Sequence, residues 1–331
     1  MAGGDVGGAA AKPRLYTLSI AVPGSVVDNA QSRELKTCLV GQIARAAAIY
    51  QVDEIVVYDD MMGAARPAGG VPVPAAGGGS SDPNVFMARL LQYLETPQYL
   101  RRPLFPMHPD LRFAGLLAPL DAPHHVRVDE AAPFREGVVI EGKPPASAGG
   151  GIGNGSLVNI GLRRPAVIDR AIRPGVRVTV RLVHTSPAQR GHPAGSAVAP
   201  STPRTELGLY WGYTTRLAAS LSDVTAECPF PGGYDLTVGT SERGTASVDD
   251  PNFKLPTFRH ALIVFGGVAG IEASVDADET SALAGENASS LFDLWVNTCP
   301  EQGSRTIRTE EAVLLSLARL RPAVARNVPP P

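Results

Sequence analysis

Two hydrophobic periods alternate along this chain. Leu15-Tyr-Thr-Leu-Ser-Ile-Ala-Val22 reads as a strand, and Leu35, Leu39, Ile43 and Ala47 then recur at helical spacing. That spacing predicts a helix capped by Asp28 or Asn29 and running to Tyr50. Glu54–Tyr58 predicts a short buried strand that closes a βαβ unit, and Asn84–Leu94 predicts a second helix. The last third repeats the grammar: Tyr234–Val238, Ala261–Phe265 and Leu291–Val296 predict three strands, each ending in a Gly-containing loop. The third runs through a loop with Pro300 and Gly303 into a helix from Glu310 to Leu320. Successive apolar strands of this kind predict a parallel sheet that binds ligand at its C-terminal edge.

The middle follows another rule. Arg135–Ile140, Ser156–Ile160 and Val176–Leu182 alternate with period two, are divided by turns, and are not interrupted by a helical pattern. They predict a small antiparallel β-barrel set into an α/β domain. Glycine and proline cluster before Pro13 and in Gly63–Pro83, Lys143–Gly155 and Ser186–Pro203, which read as flexible loops or tails. The expected organisation is a tail (1–13), a discontinuous α/β domain (14–118 and 206–322), an OB-like insert (119–205) and a flexible end (323–331).

Charge sharpens that division. The net charge of the 331 residues is −2, so no global basic field draws nucleic acid. Leu157–Arg204 nevertheless carries eight arginines against Asp169 alone, a local excess of +7, while acidic residues predominate from Glu206 onward. Cys38, Cys228 and Cys299 lie far apart without CxxC spacing, which predicts reduced intracellular thiols and neither a disulfide frame nor a metal site. The opening segment lacks the n- and h-regions of a secretory signal, and no apolar run reaches the length of a membrane span. A soluble intracellular protein is expected.

The candidate chemistry lies in three loops: Gly239-Thr-Ser-Glu-Arg-Gly244, Phe265-Gly-Gly-Val-Ala-Gly270 and Asn297–Thr309. Gly266, Gly267 and Gly270 allow a ligand close to the backbone, although GGxxG does not match the GxGxxG order of dinucleotide-binding proteins. The third loop ends at a helix N-terminus, with free N–H groups and a positive dipole end. Arg305, Arg308, Glu310 and Glu311 crowd that turn.

In this order the blocks YDLTVGTSERG, RHALIVFGGVAGIEASVDAD and LFDLWVNTCPEQGSRTIRTEEA resemble the SPOUT class of RNA methyltransferases. The likeness is to the eukaryotic and archaeal branch with an OB-like insert. LYTLSIAVPGSVVDNAQSRELKTCLVGQIARA, LQYLETPQYLRR and GLLAPLDAPHHVR extend it from about Arg14 to Leu320. The resemblance implies a parallel sheet with a C-terminal trefoil knot, a pocket for S-adenosylmethionine built from the three loops, and a homodimer. It implies cofactor contacts from Thr240, Gly244, Gly266, Gly267, Gly270, Asn297, Thr298, Gly303, Thr306 and Ile307. Arg305 and Arg243 become candidates for orienting RNA phosphate or stabilising a deprotonated base. Glu310 or Glu242 becomes a candidate proton acceptor, since a ring-nitrogen target must lose a proton; Cys299 is a weaker candidate nucleophile.

The substrate implied is ribosomal RNA, with N3 of a uridine in the large subunit as one target, and no metal or membrane partner. Arg163, Arg164, Arg173, Arg177 and Arg181 of the insert are the expected RNA grip. His124, His125, Tyr210, Trp211 and Tyr213 are expected to pack structurally, with base stacking the alternative for the last three. A non-catalytic RNA-binding or spindle- or centrosome-associated protein that keeps the fold is the alternative function. Nucleus, nucleolus, cytoplasm and spindle are the compartments compatible with these readings.

Overall fold

A computed structural model describes residues 12–61, 82–145, 155–184, 191–279, 281 and 283–329. Along the chain run β1 (Thr17–Pro23), α1 (Arg33–Ile49), β2 (Glu54–Tyr58), α2 (Pro83–Glu95), α3 (Gln98–Leu104), β3 (Phe134–Ile140), β4 (Ser156–Asn159) and β5 (Ala166–Ile168). There follow β6 (Arg177–Leu182), β7 (Ala194–Val198), α4 (Thr202–Leu207), β8 (Thr214–Ala218), α5 (Leu221–Ala226), β9 (Leu236–Thr240) and β10 (Ala246–Ser247). The last elements are β11 (His260–Val264), α6 (Gly270–Ala277), β12 (Leu294–Asn297) and α7 (Thr309–Ala325). The chain divides into two compact units, one of 12–15, Thr96–Pro106 and Asp121–Gly212, the other of Tyr16–Glu95, Met107–Leu120 and 213–329.

The larger unit is built on a seven-stranded sheet in the order β10-β12-β9-β11-β1-β2-β8, every pair parallel. Its central strands read as unbroken apolar runs because both faces are covered. Leu18, Ile20 and Val22 enter one core with α1, α2 and α7, whereas Ala21 joins Val56, Tyr58, Leu262 and Val264 in a second core on the other face. At the opposite end of the sheet from the strands' C-termini, buried Glu54 accepts from Ser19 Oγ (2.8 Å), Tyr234 Oη (2.6 Å) and Arg216 Nε (3.2 Å). This satisfied carboxylate ties β1, β2 and β8 together. β8, absent from the sequence reading, has only five residues and alternates weakly in burial.

Ser32, not Asp28 or Asn29, caps α1, accepting from the Leu35 amide at 3.3 Å. Gly24–Asn29 is spent in a 3-10 turn, which moves the helix start past both expected caps. Leu35, at the first turn, is consequently exposed, while Leu39, Ile43 and Ala47 are buried.

In the smaller unit five strands close into a barrel, β3-β4-β5-β7-β6. Four pairings are antiparallel and one, β5 with β7, is parallel. That mixture corrects the all-antiparallel expectation and fits a five-stranded Greek-key barrel of the OB type. Val139, Val158, Ile160, Ala166, Ile168 and Val180 fill it. β7 lies within Ser186–Pro203, read from sequence as loop: alternating small residues, Ala194-Gly-Ser-Ala-Val198, hide its period.

The expected flexible end at 323–331 needs the same correction. α7 continues to Ala325, Ala323 and Val324 are buried, and the Asn327 amide pairs with both backbone groups of Phe258 (2.9 and 3.1 Å). Much of the expected tail and loops at 1–13, 63–83, 143–155 and 186–203 falls outside the described residues. Among the described residues no helix is long and apolar enough to cross a membrane, and no group of three or more His, Cys, Asp or Glu could hold a metal.

Candidate functional site

Parallel pairing brings the C-terminal ends of β9, β11 and β12 side by side, so their loops meet at one edge. The first loop is tied to the third by Ser241 N–H donating to Val296 O (3.0 Å) and Asn297 Nδ2 donating to Glu242 O (2.9 Å). It is tied to the strand below the second by Thr240 Oγ1 donating to Val264 O (2.8 Å). The third loop reaches the second where Thr309 Oγ1, at the start of α7, donates to Gly266 O (2.9 Å). Thr298 Oγ1 and Ser316 Oγ, 2.7 Å apart, fasten the loop to α7. Arg308 N–H is capped by the Glu311 carboxylate at 2.9 Å.

Two glycines are there for closeness. A Cβ on Gly244 would lie 2.0 Å from the Asn297 amide nitrogen, and one on Gly266 would lie 2.4 Å from the Ile271 nitrogen. Gly267 and Gly270 bridge each other, the latter at φ 82°. Gly303 instead faces open space, and Glu301 takes a left-handed backbone (φ 56°) that is uncommon outside glycine. Tyr58 fixes the root of the second loop. Burial, with the charge of Asp60 adding and a hydrogen bond from Ser274 opposing, holds its phenol far above the usual range, so it stays a donor to Phe265 O at 2.8 Å.

The structure brings together some of the residues picked from the resemblance and leaves others apart. Thr240, Gly244, Gly266, Gly267, Gly270, Asn297 and Thr298 stand within the hydrogen-bonded loop cluster. Gly303, Thr306 and Ile307 lie on the outer bend of the third loop, where Ser304 Oγ holds Thr306 O at 2.8 Å. Arg243 and Arg305 are exposed on the first and third loops, and Glu310 is buried in the first turn of α7.

Residues 17–320 match the family model described as putative RNA methyltransferase. The chain belongs to that family. It is 54% identical over 316 residues to the 28S rRNA (uridine-N(3))-methyltransferase of Homo sapiens, covering 94% of this chain and 79% of the human one. It is 39% identical to the putative methyltransferase spot-1 of Caenorhabditis elegans, covering 92% and 80%. Among solved structures, the SpoU methyltransferase AviRb of Streptomyces viridochromogenes aligns with a TM-score of 0.33 at 11% identity, covering 96% of this chain and 60% of that one, too distant to carry an argument.

Elsewhere in this putative RNA methyltransferase the insert's arginines split into two kinds. Arg163, Arg164 and Arg173 are exposed with no ion-pair partner among the described residues. Arg177 is committed to buried Glu136 (Nε to Oε2, 2.6 Å), and Arg181 grips Glu206 with two 2.6 Å bonds and lies over the Phe134 ring. Tyr210 and Tyr213 are buried, and Trp211 Nε1 donates to Glu136 at 2.6 Å, so these rings have structural packing roles. His124 is fully buried against His125 and Trp211.

The sequence reading passed over a cavity of about 500 Å3 beside the second loop, lined by Ser25, Asp28, Asn29, Asp60, Gly267–Gly270, Ala273 and Ser274. The signal available was positional: Ser25 and Asp60 follow the C-terminal ends of β1 and β2, the edge at which open α/β sheets bind ligands.

Proposed function

We propose that this chain transfers a methyl group from S-adenosylmethionine to N3 of a uridine in large-subunit ribosomal RNA. The observation that carries the reading is the hydrogen-bonded meeting of three loops from β9, β11 and β12 in a chain so similar to a 28S rRNA (uridine-N(3))-methyltransferase. The loops fit the donor. They offer open backbone at Gly303 and side chains fixed by mutual hydrogen bonds, a preorganised surface for a nucleoside. Bound there, the donor supplies an electrophilic methyl on a sulfonium. What the protein adds is mainly positioning. Exposed Arg243 and Arg305 are assigned to RNA phosphate and developing negative charge, and Glu310 to the donor side of the pocket, at the start of α7.

The homodimer and the threaded C-terminal path belong to the same proposal. Leu35 of α1 and Leu314 of α7, helices that pack on each other, are exposed apolar residues available to a second copy. β12 enters the sheet between β9 and β10, two strands that precede it in sequence, which supports a threaded connection. Action on ribosomal RNA places the protein in the nucleolus or cytoplasm.

Calorimetry with S-adenosylhomocysteine tests the donor site: a Kd in the micromolar range, near −8 kcal/mol, is expected. A folded protein that gives no heat would leave the fold without the activity, as a binding protein. RNA engagement is assigned to Arg163, Arg164 and Arg173. Reversing two of these charges (Arg163→Glu with Arg164→Glu) should flatten the log–log salt dependence of RNA affinity by about 2 or more. An unchanged slope would move the RNA grip off this face.

A further inference from the structure

The cavity beside the second loop lies on the other side of β11 from the first and third loops. Loops one and three follow β9 and β12, whereas Ser25 and Asp60 follow β1 and β2, with Gly267–Gly270 as the wall between them. Asp60 is 3% exposed and accepts from Ser25 Oγ at 2.5 Å. A Cβ on Gly267 would sit 3.2 Å from Asp60 Oδ2, so the backbone of the second loop passes close to this carboxylate. The other cavity acid, Asp28, is already paired with Lys36 at 2.6 Å. Glu310, on α7, does not line the cavity.

We infer that this cavity receives the target uracil and that Asp60 takes its N3 proton, a proposal that rests on the methyl-transfer reading above and names its acceptor site. The volume lies within the range of small-ligand pockets, and an enzyme acting on a base draws it out of its stack into such a pocket. The edge to be read has an N3–H donor flanked by two carbonyl acceptors. The lining offers part of the complement: the Asp60 carboxylate as acceptor for the N3–H and the Asn29 amide as donor to a flanking carbonyl. Cytosine, lacking a hydrogen at N3, forfeits the central bond.

In the step, the N3–H bond breaks and its proton passes to an Asp60 carboxylate oxygen. The nitrogen lone pair forms the new N–C bond. The methyl carbon's bond to sulfur breaks with its electron pair left on sulfur, converting the sulfonium to a neutral thioether.

The test uses Asp60→Asn, which keeps the shape, and Ala273→Leu, which fills the cavity from the α6 wall. Asp60→Asn should bind S-adenosylhomocysteine within about twofold of wild type yet lose at least about a hundredfold in single-turnover methylation of unmodified large-subunit RNA. Its residual rate should rise about tenfold per pH unit, as transfer then waits on spontaneous ionisation of the imide. Wild type should bind an RNA fragment carrying uridine at the target at least about tenfold more tightly than one carrying N3-methyluridine. Ala273→Leu should likewise keep donor affinity and lose transfer. Undiminished transfer in either variant, or donor affinity lost in step with activity in Asp60→Asn, overturns the assignment. Absence of heat with S-adenosylhomocysteine in the wild type rejects the methyl-transfer reading instead.

Discussion

Gly244→Val is expected to remove measurable S-adenosylhomocysteine binding while the barrel unit stays folded. A Cβ at this position would stand 2.0 Å from the Asn297 nitrogen and 2.3 Å from the Val296 carbonyl carbon. Both are backbone atoms of β12, so no rotamer change relieves the clash. The loop or the strand must move, and overpacking of this kind typically costs roughly 1–3 kcal/mol. Movement also breaks the ties that position the cluster: Ser241 N–H to Val296 O, Asn297 Nδ2 to Glu242 O, and Val248 N–H to Asn297 O (3.3 Å). Each tenfold loss of affinity corresponds to about 1.4 kcal/mol, so a displaced loop readily takes a micromolar ligand out of calorimetric range. Gly115→Ala is the control, since this glycine lies outside the three loops and a Cβ there meets nothing within 4 Å. Wild-type heats in Gly244→Val would mean that the junction of the first and third loops does not shape the donor site.

The same junction shows what could be read from residues alone. The three strands were legible because parallel strands covered on both faces are continuous apolar runs, and Leu262 and Val264 pack against one core while Ile263 and Phe265 pack against the other. The loops were legible as a set through their resemblance to a known class; Gly244 turns out to serve backbone contact with the third loop's strand, and Gly266 close packing within the second loop. Asp60 escaped notice because it belongs to no such loop. Its place is set by β1 and β2 pairing in register, Pro23 with Tyr58, which no local pattern encodes. Charge counting failed for a related reason. An excess of +7 marks a basic segment but cannot say which arginines are already paired, and Arg177 and Arg181 are held by carboxylates 41 and 25 residues away in sequence.

Glu136 turns that failure into the second large prediction. Its carboxylate, almost wholly buried, accepts from Arg177 Nε (2.6 Å), Thr179 Oγ1 (2.5 Å) and Trp211 Nε1 (2.6 Å). Tyr99 Oη donates to its backbone oxygen at 2.9 Å, and burial, together with the nearby Glu136 charge, keeps that phenol protonated. Glu136→Ala removes the shared acceptor of a guanidinium, a hydroxyl and an indole N–H at once. Breaking a buried ion pair by removing one partner costs about 3–5 kcal/mol. Hydrogen exchange is the direct measurement, because the loss is confined to one unit. Amides of β3 and β6 should lose roughly two to three orders of magnitude in protection, while those of β9 and β11 keep theirs. Arg177→Ala should give a smaller effect, and the double variant should cost less than the two singles together, since both remove one interaction. Strict additivity would show that Arg177 spends its charge elsewhere and would restore it to the RNA-facing set with Arg163, Arg164 and Arg173.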